Sequence, residues 1–106
     1  MSETPVYHVV VSDRAAQLLV QHAAFLAKVS PDAANHLVEA FTEAANSFAE
    51  MPRRGAWFTA PYIPRNVYRY LTMDKRYLVL YQVREDTVWI DYVLDCRQDY
   101  RWLLHN

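Results

Sequence analysis

Three of the five prolines and the only glycine fall between Met51 and Arg65. Proline cannot donate a backbone hydrogen bond to a helix or a ladder, and glycine weakens both, so this stretch divides the chain into two separately patterned halves. Before it, apolar residues recur at helical spacing; after it, β-branched and aromatic residues gather in short runs. Segregation of this kind implies an α+β fold. The length of 106 residues suits a single domain spanning 1–106, and 53% hydrophobic with 14% aromatic residues excludes disordered and collagen-like classes. Folding at this size removes about 65% of the unfolded chain's surface from water, so one core suffices without a disulfide or a metal.

Val6–Val11 is a β-branched run that predicts a first strand, buried on at least one face. Ser12 offers a hydroxyl N-cap, Asp13 sits favourably in the first turn, and Ala15, Leu18, Leu19, His22, Leu26 and Val29 recur at helical spacing. Ser30-Pro31-Asp32 repeats the start signal, with proline where its missing N–H costs nothing, and predicts a second helix ending before Pro52. Its core stripe is Leu37, Phe41, Ala45 and Phe48, opposite a wet face of Asn35, Glu39, Glu43 and Asn46. The stretch 51–65 reads as an ordered loop, because it also carries large aromatic rings that must pack. Asn66–Thr72, Tyr77–Val83 and Val88–Leu94 then predict an antiparallel meander, with the unbroken apolar run at Tyr77–Tyr81 as its central strand. Gln98–Leu104 reads as a short terminal helix. The expected order is β-α-α-β-β-β, an antiparallel sheet covered on one face by a helical hairpin.

The net charge of -1 identifies no partner, but its distribution is uneven. Residues 51–76 hold Arg53, Arg54, Arg65, Arg69, Lys75 and Arg76 against Asp74 alone, while both flanks are acidic. Trp57, Phe58, Tyr62, Tyr68 and Tyr70 lie in the same window. Guanidinium groups and rings on one surface suit nucleic acid or an acidic peptide; a solvated basic loop is the plain alternative. Arg69 alternates with Val67 and Leu71, so it either reaches the sheet rim through its apolar stem or faces a concave site. The lone Cys96 cannot form an internal disulfide and reads as a small hydrophobe, His22 as a partly buried residue with one satisfied nitrogen, and Tyr100 and Trp102 as packing for the last helix. His8, His22, His36 and His105 lack ligand spacing, so no metal or small-molecule cofactor is expected. No apolar run approaches the roughly 20 residues of a membrane span and the first residues lack secretory character, which predicts a cytoplasmic protein without a membrane partner.

Tyr7-His8-Val9-Val10-Val11 leading into Ser12-Asp13-Arg14-Ala15, then Met51-Pro52, then Tyr77-Leu78-Val79-Leu80-Tyr81-Gln82-Val83 and Leu94-Asp95-Cys96-Arg97-Gln98-Asp99-Tyr100 resemble, in order and spacing, the RelE/ParE superfamily of bacterial type II toxins. The resemblance spans nearly the whole chain and implies a plasmid-stabilisation type of toxin that inhibits growth and is neutralised by a cognate antitoxin docked over the helical hairpin and sheet edge. RelE-like members cleave mRNA in the ribosome, using cations on the strands and after the last one, with a late tyrosine. That implication nominates Arg69, Arg97 and Tyr100 as catalytic residues; the plain alternative for Arg97 is an ion pair with Asp95 or Asp99 that caps the last helix. The set is incomplete, because Leu78 stands where a cation is expected and Tyr68-Arg69-Tyr70 replaces paired lysines. ParE-like members poison DNA gyrase without a nuclease site, and the missing cations favour that branch over the ribosome and its mRNA. A third possibility is a non-toxic module that only titrates antitoxins. The expected target- or antitoxin-binding residues are Arg53, Arg54, Trp57, Arg65, Arg69, Lys75, Arg76 and Arg97.

Overall fold

The computed structural model describes residues 6–61 and 63–97, which hold seven elements. They are β1 (His8–Val11), α1 (Asp13–Ala27), α2 (Pro31–Phe48), β2 (Ala56–Trp57), β3 (Arg69–Met73), β4 (Tyr77–Arg84) and β5 (Thr87–Asp95). The predicted terminal helix Gln98–Leu104 lies outside the described residues. The strands form one sheet in the order β1-β5-β4-β3-β2. The pairs β2–β3, β3–β4 and β4–β5 are antiparallel, the last two joined by short breaks, whereas β1 joins β5 in parallel after the helical hairpin carries the chain across. The sheet is therefore mostly antiparallel, with a two-residue strand that the loop contributes at its far edge.

Both helix starts follow the side-chain chemistry that predicts them. The Ser12 hydroxyl accepts from Ala15 N at 3.0 Å and the Ser30 hydroxyl from Ala33 N at 3.2 Å, each satisfying an orphan donor of the first turn. On α2, Leu37, Phe41, Ala44 and Phe48 are buried while Asn35, Glu39, Glu43 and Asn46 face water. Burying each of the three large side chains contributes about 2 kcal/mol. The tight turns use left-handed backbone at non-glycine residues: Asp74 (φ 50°) and Lys75 (φ 62°) between β3 and β4, and Glu85 (φ 55°) between β4 and β5.

β4 occupies the centre of the sheet, and Tyr77 to Tyr81 are all buried because both faces are covered. Val79 and Tyr81 pack under the hairpin with Leu37, Phe41, Phe48 and Ile90. Leu78 and Leu80 pack on the opposite face with Tyr92, Leu94 and two residues of the proline-rich loop, Phe58 and Ile63. The loop thus acts as a lid over a second small core. Three expectations need correction. β1 is a mostly exposed edge, with Val10 and Val11 each 37% accessible, because one side of it has no neighbouring strand among the described residues. Val29 is exposed beyond the end of α1, and Cys96 is exposed after β5.

Candidate functional site

The basic residues of the window do not converge; the sheet separates most of them into two groups at opposite ends. At the start of β3, Arg69 shares a face with Leu71 and Met73 but extends past the hairpin to the rim. There its Nη1 donates to Gly55 O at 2.8 Å and to Arg53 O at 3.4 Å, and its guanidinium carbon lies 4.0 Å from the centre of the Trp57 ring. Arg53 in turn donates to the Tyr7 hydroxyl at 3.2 Å and lies over that ring. Gly55 N–H donates to the Tyr81 hydroxyl at 2.9 Å, deep in the core. Tyr81 is held from below by the Phe48 ring, 4.0 Å between centres, and burial raises its phenol above the ordinary tyrosine range. A side chain at position 55 would meet Tyr70 O at 2.5 Å and the Tyr81 hydroxyl at 2.6 Å, so only glycine allows this approach. Arg54 and Trp57 stay exposed beside the group.

At the other end, the β3–β4 turn and the end of β5 bring Arg76 and Arg97 to one carboxylate. Arg76 Nε and Nη2 donate to Asp95 Oδ2 at 3.1 and 3.0 Å, and Arg97 N donates to Asp95 Oδ1 at 2.9 Å with its Nε 3.6 Å from the same oxygen. Asp95 is buried. Burial alone would raise its pKa, but these hydrogen bonds and the two positive charges outweigh it and hold the carboxyl below the ordinary aspartate range. The same carboxylate stabilises protonated Arg76. A cleft of about 670 Å³ opens here, walled on the helix side by Leu18, Gln21, His22 and Phe25 and on the strand side by Arg76, Asp95 and Arg97. His22 Nε2 donates to Val93 O at 3.0 Å, which fixes the ring in the wall of the cleft.

The ends are far apart. Arg69 pairs with Tyr81 and Asp95 with Tyr77, so Arg69 and the Asp95 that anchors Arg97 lie four residues of strand, roughly 13 Å, apart along the sheet. Lys75 and Arg65 join neither group. Lys75 borders a hollow on the lid side with Trp57, Tyr70 and Cys96, and Arg65 lies on the lid near Thr59 and Ile63. Leu78 is buried beneath the lid core, and Tyr100 lies outside the described residues.

Charge counting over 51–76 misses a third polar group, on the lid side of the sheet. Asp91 Oδ2 accepts from the Tyr68 hydroxyl at 3.0 Å and from Gln82 Nε2 at 2.8 Å. Burial, then the adjacent Asp91 charge, push the Tyr68 phenol up to about 12, so it remains a donor and not a base at neutral pH. Arg14 lies over the Tyr92 ring and donates to its hydroxyl, and Arg84 lies 5.2 Å from the centre of the Trp89 ring. Only the arginine and aromatic residue types signal these stacks in the sequence; their pairing depends on register.

A model of the ParE toxin of the type II toxin-antitoxin system, parDE, matches residues 9–100. No curated protein matches the sequence significantly. Among solved structures, a chain of the chromosomal ParDE TA system from P. aeruginosa superposes with a TM-score of 0.67 at 16% identity, covering 85% of this chain and 96% of that one. At that identity the superposition bears on fold, and it supports the helical hairpin on a mostly antiparallel sheet. Among the described residues no helix is long and apolar enough to cross a membrane.

Proposed function

Because the chain belongs to the ParE toxin family of type II toxin-antitoxin systems, we propose that it arrests growth in the cytoplasm by binding a protein target, foremost DNA gyrase. A cognate antitoxin neutralises it by folding over the hairpin and the adjoining sheet edge. The observation that carries the protein-target reading is the separation of the cations. Cleavage of RNA by side chains needs cationic donors aimed at one phosphate in the transition state. Arg69 and Arg97 lie at opposite ends of the sheet, and the Arg69 guanidinium is engaged by backbone carbonyls and Trp57.

The test combines purified protein with DNA gyrase and relaxed plasmid. Supercoiling falls as the protein is added and recovers on addition of the antitoxin encoded beside it. Unchanged supercoiling with message cut in a translating extract would move the activity to the ribosome. Harmless overexpression without antitoxin would leave only an antitoxin-titrating module.

A further inference from the structure

The cleft at the end of β5 contains an uneven charge balance. Asp95 cancels one of the two guanidinium charges beside it, and Arg76 makes both of its contacts to a single Asp95 oxygen. Arg97 contributes its backbone N–H to the carboxylate, while its side chain stays 65% exposed. Among the described residues the cleft therefore holds one more guanidinium than carboxylate, and Arg97 Nε, 3.6 Å from Asp95 Oδ1, keeps the more exposed of the two cations anchored. Its helix wall is not polar throughout. Leu18 and Phe25 line it, Phe25 is 57% exposed, and Val29, in the turn just beyond the end of α1, is 84% exposed.

We propose that this cleft receives one carboxylate, carried by an Asp or Glu of an antitoxin segment laid along α1. An apolar neighbour of that residue then covers Phe25 and Val29. The assignment rests on the toxin-antitoxin reading above and names the contact through which it operates. An acidic amphipathic peptide fits better than RNA for two reasons. Nucleic acid is held by many cations along a backbone, whereas among the described residues this cleft has two guanidiniums against one carboxylate, flanked by apolar side chains. The hairpin also carries Asp32, Glu39 and Glu43 exposed on α2, which repel a polyanion that follows the helices but leave a single carboxylate seated at Arg97 undisturbed. A planar guanidinium already oriented from below suits a carboxylate, and entry beside buried Asp95 is favourable only with that counter-charge present.

The test is calorimetric titration of the full chain with the full-length antitoxin encoded beside it, after thermal melting has confirmed that each variant folds. Arg97→Gln weakens binding about tenfold, Arg97→Glu about a hundredfold, and Phe25→Ala about tenfold, whereas Arg84→Glu, an equal charge change at the far turn, shifts it less than about threefold. Neutralising antitoxin Asp and Glu residues singly identifies one position that weakens binding to the wild type and not to Arg97→Gln. Tight binding by the wild type that Arg97→Glu leaves unchanged would overturn the cleft assignment while the toxin-antitoxin reading stands. Wild-type protein that does not bind the antitoxin would remove both. An Arg97→Glu variant that loses gyrase inhibition but keeps its antitoxin affinity would assign the cleft to the target, and tighter antitoxin binding after deletion of residues 98–106 would assign it to the chain's own end.

Discussion

The two ends of the sheet use the same residue type for opposite purposes. At the start of β3, Arg69 and Arg53 face carbonyl oxygens, a phenol and aromatic rings, and among the described residues no carboxylate is bonded to either. Arg69 donates through Nη1 to two carbonyls of the loop and so ties the loop to the sheet, while Arg53 ties it to Tyr7. At the end of β5, Arg76 and Arg97 share one buried carboxylate, and one guanidinium remains largely in water. Basic residues counted along a sequence are therefore not equivalent to basic residues available to a partner. What each arginine faces decides, and that depends on where a loop closes and where a strand stops.

The sharpest way to break this contrast acts on the first end. Gly55→Ala places a methyl group within 2.6 Å of Tyr70 O and the Tyr81 hydroxyl, and is expected to lower stability by about 3 kcal/mol, read by denaturant unfolding. A loss below about 1 kcal/mol would mean that the lid is not clamped there. At the second end, Asp95→Ala leaves Arg76 without its carboxylate and is expected to cost about 2 kcal/mol, discounted because Arg76 is partly exposed. Because the folded-state pKa of Asp95 lies below its unfolded value, its contribution is fully present above about pH 4 and is lost as pH falls through the lower folded value. Asp95→Asn should flatten that acid limb, and an unchanged limb would remove the carboxylate from the account. The comparison is tested most directly by paired changes: Arg69→Met should cost about 1 kcal/mol, and Arg97→Gln less than about 0.5 kcal/mol. Equal losses would erase the distinction between the two ends. The smallest expected effect is a gain: Lys75→Gly relieves a left-handed backbone and should raise stability by about 0.5 kcal/mol in the same unfolding measurement.

Features written in neighbouring residues were the legible ones. Ser12 and Ser30 cap their helices through hydroxyls three residues from the bonded amides, and Leu37, Phe41 and Phe48 fall on one face of α2. The central place of β4 follows from the uninterrupted run Tyr77–Tyr81, since only a strand covered on both faces tolerates it. Features that depend on distant partners were not legible. Whether β1 lies inside the sheet or at its edge is settled by residues 87–90, and nothing in Val6–Val11 encodes that. The alternation that placed Arg69 beside Val67 and Leu71 left two outcomes open, and the close approach of Gly55 to the core selected the rim. Asp95 was legible as a nearby partner for Arg97, but its burial and its pairing with Arg76 were not, because they depend on the β3–β4 turn folding back onto the end of β5.

The pairing of β1 with β5 also orders events during synthesis. His8 is made early and its partner Thr87 seventy-nine residues later, so the longest loop the fold must close is also the one that completes the sheet. The helical hairpin and the β3–β4 turn form from local contacts as they emerge, but β1 has no strand to join until residues 87–90 have left the ribosome. A nascent chain shorter than this has neither its first strand in place nor Asp95 and Arg97, so the parallel edge of the sheet and the cleft at its end come into being together.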